Sequence, residues 1–474
     1  MKNYNQFYIN GNWVEPYEPH LINVINPSDE SVCASISLGT EHDVEKAAQA
    51  ASQAFSSFGF SAKNERLDLL ESIINVFKKR YNDIAEAISM EMGAPTQLAV
   101  KAQTGSGLAH LKAAHKILKD YSFQEQQGSS LIVKEPIGVC GLITPWNWPL
   151  NQITCKVAPA IAVGCTVILK PSEIAPLSAY IFSEVMDEAG VPAGVYNMIN
   201  GDGPGVGTAL SKHPLIDMVS FTGSTRAGTL VAQNAAPTVK RVAQELGGKS
   251  ANIILADADF ERAVKQGAHS VFSNSGQSCN APTRMLVPAD KLQQAEEIAA
   301  NVASKIVVGP ADQEQTTMGP VVSETQYNKI RSLIQAGIDE GAKLVAGGLD
   351  RPDELDQGFY IKPTVFSQVS NTMTVAKEEI FGPVLAILPY QSIDQAIDIA
   401  NDTPYGLAGY IQGTDPKTLQ YVASRIRAGN ININGHSGDI MTPFGGYKQS
   451  GNGREWGAYG FEDFVEIKAI SGLE

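Results

Sequence analysis

The sequence predicts an α/β protein whose parallel sheets are covered on both faces by helices. Three observations carry this. Short apolar runs recur at 137–144 (IGVCGLIT), 165–170 (CTVILK), 195–200 (VYNMIN), 218–222 (MVSFT) and 251–255 (ANIIL). Helical stretches at 151–163, 176–189 and 226–235 separate them, and runs that are apolar throughout suit strands buried on both faces. The alternation then resumes beyond residue 256 with new material, so the 474 residues read as two α/β units rather than one.

In chain order, residues 6–25 mix Gly, Asn and Pro with short apolar pieces and read as a strand-and-turn entry. A helical pattern covers about 42–57. Residues 63–91 read as one amphipathic helix with Leu67, Leu70, Ile74, Phe77, Ile84 and Ile88 near one face, ended by Gly93 and Pro95. A further helix covers about 96–119, and no chemistry shows in these early helices. The second unit is expected to hold helices near 259–273, 289–305, 323–341 and 393–401, with strands near 284–287, 361–366 and 383–389. The tail 461–470 (FEDFVEIKAI) reads as a terminal strand suited to pairing with another subunit.

The composition bounds the function classes. Hydrophobic content of 43% and charged content of 18% are those of a globular enzyme. A net charge of −14 disfavours nucleic acid and anionic membrane as partners. The cysteines Cys33, Cys140, Cys155, Cys165 and Cys279 are odd in number and sparse, which suits a reducing, cytoplasmic compartment rather than a disulfide framework. The start MKNYNQFYINGNW has no apolar signal core, and no apolar run reaches about 18 residues. No Cys/His spacing suggests zinc, so no metal is expected.

Ligands of parallel sheets bind at the carboxyl ends of the strands. Four such ends carry Gly, Pro or polar groups: TPWNWPL at 144–150, KPSE at 170–173, GDGPGVG at 201–207 and GSTRAG at 223–228. None is a G-x-G-x-x-G fingerprint, and the 201–207 run has glycines at alternate positions with no acidic residue about 20 positions on. Each alone reads as a tight turn, but four at one sheet edge suit a nucleotide. Gly223-Ser224, opening a helix, is the better phosphate candidate. Glu245, before Gly247-Gly248, reads either as a cap or as a general base on a flexible turn. Cys279 lies in NSGQSCN, a polar turn ill suited to a core filler. As a nucleophile it needs a base, a cation or dipoles nearby; otherwise it is an ordinary buried thiol.

TPWNWP, LKPSE, FTGS, ELGGK, GQSC, EEIFGPV and PFGGYKQSG occur in this order and at fitting separations. Together they resemble the aldehyde dehydrogenase superfamily, in its NAD(P)-dependent, non-CoA-acylating branch, from residue 7 to the end. The resemblance implies a Rossmann-type cofactor domain (1–117 and 137–247), an α/β catalytic domain (248–448) and a small β oligomerisation element (118–136 and 456–474), assembled as a homodimer or homotetramer. It implies Cys279 as nucleophile, Asn147 as oxyanion donor and Glu245 as the base that activates water. NAD would be held by Thr144, Trp146, Lys170, Ser172, Glu173, Gly203, Gly207, Phe221, Gly223, Ser224, Leu246, Glu379 and Phe381. The Glu173 carboxylate would disfavour NADP. Lys156 and Glu455 resemble a proton path. Trp148, Gln152, Cys155, Ser278, Asn280 and the loop 435–442 would line the aldehyde pocket. Trp148 stands where many members have Phe. No Arg pair announces an acidic semialdehyde and no aromatic cage a betaine aldehyde, so an uncharged aliphatic or aromatic aldehyde is expected. A CoA-acylating semialdehyde dehydrogenase is disfavoured by Glu245. A catalytically silent NAD-binding relative is disfavoured by Cys279, Glu245 and Asn147 together.

Overall fold

The computed structural model describes residues 2–436 and 438–472. Its largest sheet has eight strands in the order Gly451–Asn452, Arg241–Glu245, Met218–Thr222, Val139–Ile143, Thr166–Lys170, Tyr196–Met198, Phe7–Ile9 and Asn12–Val14. The middle five are parallel, while the hairpin Phe7–Val14 and the short strand Gly451–Asn452 close the two edges antiparallel. Chain order therefore reverses between Val139–Ile143 and Met218–Thr222. That is the switch point at which a doubly wound sheet opens a crevice for a dinucleotide. Sequence reasoning lacked this, because the glycine fingerprint is absent and the topology supplies the crevice instead.

The second sheet has seven strands in the order Lys343–Ala346, Thr364–Ser367, Val384–Tyr390, Arg284–Pro288, Ala251–Ile254, Ala408–Gln412 and Asn430–Ile433, all parallel except the first. The apolar run 251–255, read with the first series of strands, belongs here. A three-stranded antiparallel sheet joins Gln124–Gln127, Ser130–Pro136 and Val465–Ser471. Each large sheet is packed into its own apolar cores, with Val167, Leu169 and Phe182 fully buried in one unit and Leu286, Ile330 and Phe366 in the other.

Several expected elements differ. The single helix over 63–91 is two, Lys63–Lys79 and Tyr81–Met92. Arg80 leaves helical geometry between them (φ −94°, ψ 9°) and pairs with Asp83, Glu184 and Glu188 at 2.6–2.7 Å. Both pieces bury apolar faces in one core, so periodicity could not show the break. The helix over 96–119 contains a wide π turn at Ala99–Thr104 before Gly105–Asp120, a device frequent at functional sites. The terminal strand begins at Val465, after a short helix Tyr459–Glu462. The strands Arg241–Glu245, Ala408–Gln412 and Asn430–Ile433 escaped the apolar criterion because each carries Gln, Glu or Asn. No described helix is long and apolar enough to cross a membrane.

Candidate active site

Cys279 sits just past a turn of unusual backbone. Asn274, Ser275 and Gly276 have φ of 53°, 56° and 73°, three successive left-handed residues following the helix Phe260–Phe272. Such a run is held only by its surroundings. Gly276 is required twice, since a Cβ there would lie 2.0 Å from the Gly382 carbonyl oxygen. Ser275 Oγ donates to Gly319 O at 2.8 Å, and the Gln277 amide receives Val322 N–H on its oxygen at 2.9 Å. The loop therefore fixes where the thiol stands.

Asn147 precedes the helix Pro149–Val163, which Pro149 opens. Its side-chain nitrogen lies 3.1 Å from Gln277 O, two residues before Cys279, and its carbonyl accepts from Gln103 Nε2 and Asn274 Nδ2, each at 3.0 Å. Gln103 and Asn274 thus lock the amide donor. The π turn brings Gln103 there, and no pattern in the sequence singled it out.

Glu245 ends the strand Arg241–Glu245, in register with Thr222 and Gly451. It is 4% exposed, and neither carboxylate oxygen has a partner. Burial lifts its proton affinity well above the carboxylate range, the charge of Glu455 adds to this, and Lys156 and Arg454 offset part. The half-buried Cys279 thiol is likewise pushed far up, first by burial, then by the charges of Glu245 and Glu379. Without ligands, burial thus favours the protonated form of both groups.

Behind Glu245, Lys156 is fully buried, pairs closely with Glu455 and donates to Thr222 Oγ1 at 2.7 Å. Cys155 Sγ donates to Glu455 Oε2 at 3.4 Å. Cys155 and Gln152 are buried, and neither lines a cavity next to the thiol loop.

Two cavities flank that loop. One, of about 210 Å³, is lined by Cys279, Asn147, Trp146, Gly223, Ser224, Leu246, Glu379 and Phe381, residues from every predicted cofactor motif except the Lys170 and Gly203–Gly207 turns. Gln326 and Lys329 also line it and were not foreseen. Gln326 Nε2 donates to Ile380 O and Phe381 O at 3.2 and 2.8 Å, holding Phe381 at φ 57° with its ring edge-on to Trp146. Glu379 accepts Gly248 N–H at 2.8 Å. The other cavity, of about 300 Å³, takes in Ser278 and Asn280, and Trp148 Nε1 donates to Ser278 Oγ at 2.8 Å. From the loop 435–442, Gly435, His436 and Gly438 line it; Ser437 lies outside the described residues.

The remaining predicted residues stand along the sheet edge. Lys170 is buried, with Nζ 3.3 Å from Glu173 Oε2 and bonded to Pro171 O at 2.6 Å. Ser172 Oγ accepts Ile174 N–H and builds the turn. Gly203 and Gly207 bound a π turn that Asp202 caps through Gly205 N–H at 2.7 Å. Ser224 caps the helix Thr225–Ala235, and Phe221 packs where a Cβ on Gly223 would lie 2.6 Å from its ring. The buried Thr144 hydroxyl, just past the strand Val139–Ile143, has no partner. Among the described residues no cluster could hold a metal ion. An orphaned hydroxyl, a helix N-terminus and a Lys–Glu pair along one switch-point crevice fit a dinucleotide.

Known proteins resemble this chain over its whole length. The aldehyde dehydrogenase family model matches residues 13–470. A 3-succinoylsemialdehyde-pyridine dehydrogenase from a Pseudomonas species is 55% identical over the full length of both chains. Aldehyde dehydrogenase C of Pseudomonas syringae, solved as a Cys-to-Ala variant with NAD+ and octanal, is 52% identical, with a TM-score of 0.98 over 99% of this chain and 97% of that one. Betaine aldehyde dehydrogenase of Staphylococcus aureus, solved with NAD+, is 37% identical, with a TM-score of 0.96 over 98% and 94%. On its sequence, its fold and this site, the chain belongs to the aldehyde dehydrogenase family.

Proposed function

We propose that the enzyme oxidises an aldehyde to the free acid with NAD, through a thioester on Cys279. One observation carries the reading: a half-buried thiol and a locked amide donor meet at one turn, and the charge of a buried carboxylate with both oxygens free reaches that thiol. The Cys279 thiolate adds to the aldehyde carbonyl. Asn147 Nδ2 and the Cys279 backbone N–H are the donors for the resulting oxyanion, and removing one such donor typically costs about 10²–10³ in rate. NAD, held by the residues of the crevice, supplies the hydride acceptor. Glu245, once ionised, takes a proton from water as the oxygen attacks the thioester and the C–S bond breaks, releasing the acid and restoring the thiolate. Lys156 and Glu455 stand behind Glu245 to carry that proton away.

NADH formation with a panel of aldehydes tests this. The Pseudomonas relative is named for 3-succinoylsemialdehyde-pyridine and the Pseudomonas syringae structure holds octanal, so the panel should span aryl semialdehydes and straight chains. NAD is expected to exceed NADP in kcat/KM by at least about tenfold, because Glu173 beside Lys170 repels a 2′-phosphate. Equal use of both would remove Glu173 from cofactor choice.

The pH dependence has a defined sign. Cys279 and Glu245 both act deprotonated, and both are held above their ordinary values. Activity is therefore expected to fall as pH drops from about 9 to about 6, with no acid-side plateau. A flat profile over that range would contradict the assignment. Assembly as a homodimer or homotetramer through the sheet of Val465–Ser471 and Ser130–Pro136 completes the proposal, as does a reducing, cytoplasmic setting for five free cysteines. A monomer in sedimentation velocity at micromolar concentration would exclude the assembly.

A further inference from the structure

The geometry points to the 300 Å³ cavity as the binding site for the far end of the aldehyde, and to an uncharged hydrogen-bonding group as what it receives: an amide, ketone, hydroxyl or ring nitrogen. The inference rests on Cys279 being the nucleophile. Cys279 faces the smaller cavity with Glu379 and Phe381, whereas its two neighbours, Ser278 and Asn280, line the larger one. If the smaller cavity holds the hydride acceptor, the rest of an aldehyde joined to Sγ must leave on the other side of the loop, where the larger cavity opens.

The lining sets the chemistry. Among the described residues of this cavity there is no Asp, Glu, Lys or Arg. Apart from the His436 imidazole, its polar side chains are amides and hydroxyls, chiefly Gln266, Ser270 and Ser273 from the helix Phe260–Phe272 and its end, with Ser278 and Asn280. Some of their capacity is spent. Ser270 Oγ donates to the Gln266 carbonyl at 2.9 Å, and Tyr410 OH donates to the Asn280 carbonyl at 2.9 Å. Those bonds engage main-chain oxygens and leave the side-chain amides of Gln266 and Asn280 without a protein partner among the described residues. Ser278 Oγ accepts from Trp148, so its own hydrogen stays available.

The fold makes room for these amides. A Cβ at Gly435, whose φ is +77°, would lie 1.8 Å from Gln266 Nε2. A Cβ at Gly267 would lie 2.6 Å from Asn252 Nδ2, whose oxygen accepts from Gln412 Nε2 at 3.3 Å. Two glycines thus admit polar side chains to a place where larger residues would exclude them. A carboxylate tail would lose hydration there and meet no Lys or Arg, with His436 the one titratable imidazole among the described lining residues, and an alkyl tail would leave the amides unpaired. A site built to hydrogen-bond its ligand rejects an analogue that lacks the group.

The test compares kcat/KM for heptanal, 6-oxohexanamide and 6-oxohexanoate, which are similar in length. The wild-type enzyme is expected to favour the amide over each of the others by about tenfold, the effect of one or two neutral hydrogen bonds. Gln266→Leu and, independently, Ser273→Leu are expected to bring the amide-to-heptanal ratio toward one. Gln266→Lys is expected to raise the carboxylate relative to the amide. Ratios taken within one preparation do not depend on how much of a variant folds. A wild-type ratio near one, or a ratio that both leucine variants leave unchanged while heptanal is oxidised, overturns this proposal alone. Failure of the wild-type enzyme to oxidise any of the three overturns the oxidation reading, and this inference with it.

Discussion

Cys279→Ala is expected to reduce NAD-dependent aldehyde oxidation to below about 1% of the wild-type rate, because the bond that carries the acyl group can no longer form. The substitution removes one sulfur from a half-buried position. The loop that presents it is held by Gln277, Ser275 and the backbone of Gly382 rather than by the thiol. Melting temperature should therefore change little. NAD should still bind, since most of the crevice lies on Thr144, Lys170, Gly223, Ser224 and Glu379. The readouts are NADH production at 340 nm and a thermal shift with added NAD. Residual oxidation above about 1% would end the nucleophile assignment. Loss of NAD binding together with loss of turnover would mean that the loop had collapsed, and Cys279→Ser would then separate geometry from chemistry.

Glu245→Gln should act later in the cycle. Burial favours the protonated carboxyl, and its oxygens have no partners to lose, so an amide of the same shape should leave stability nearly unchanged. What it removes is the base for water. The first turnover is expected to proceed as a burst of NADH close to one per active site, while the steady state falls by about 10²–10⁴. Mass spectrometry should then find the acyl group on Cys279. A steady state within a factor of a few of wild type would remove Glu245 from the mechanism. A lost burst would instead make Glu245 the base that ionises the thiol, a role its charge effect on Cys279 also permits.

The legibility of the site followed the motif around each residue. Cys279, Glu245 and Asn147 could be named because GQSC, ELGGK and TPWNWP occur in order with the other motifs of the family resemblance; taken alone, each residue kept an ordinary reading. Gln103, Gln326 and Lys329 could not. They sit on helices whose polar faces look like any solvated face, and only the π turn at Ala99–Thr104 and the approach of Glu324–Asp339 to Phe381 carry them to the centre. Cys155 was expected beside the substrate, but its thiol turns to Glu455, a direction that sequence position does not encode.

The sequence by itself determined the fold class, the apolar strands of both sheets and the family, and it named the three residues on which the proposed chemistry rests, because these depend on local pattern and on motifs in order. Only the tertiary structure decided the switch point between Val139–Ile143 and Met218–Thr222, the break at Arg80, and the strands whose polar residues hid them. The same holds for the placement of two separate cavities at one thiol loop. These features arise from contacts between residues more than a hundred positions apart, such as Asn147 with Gln277 and Lys156 with Glu455. Burial then sets the proton affinity of Glu245 and Cys279, and burial belongs to the packed chain rather than to any stretch of it.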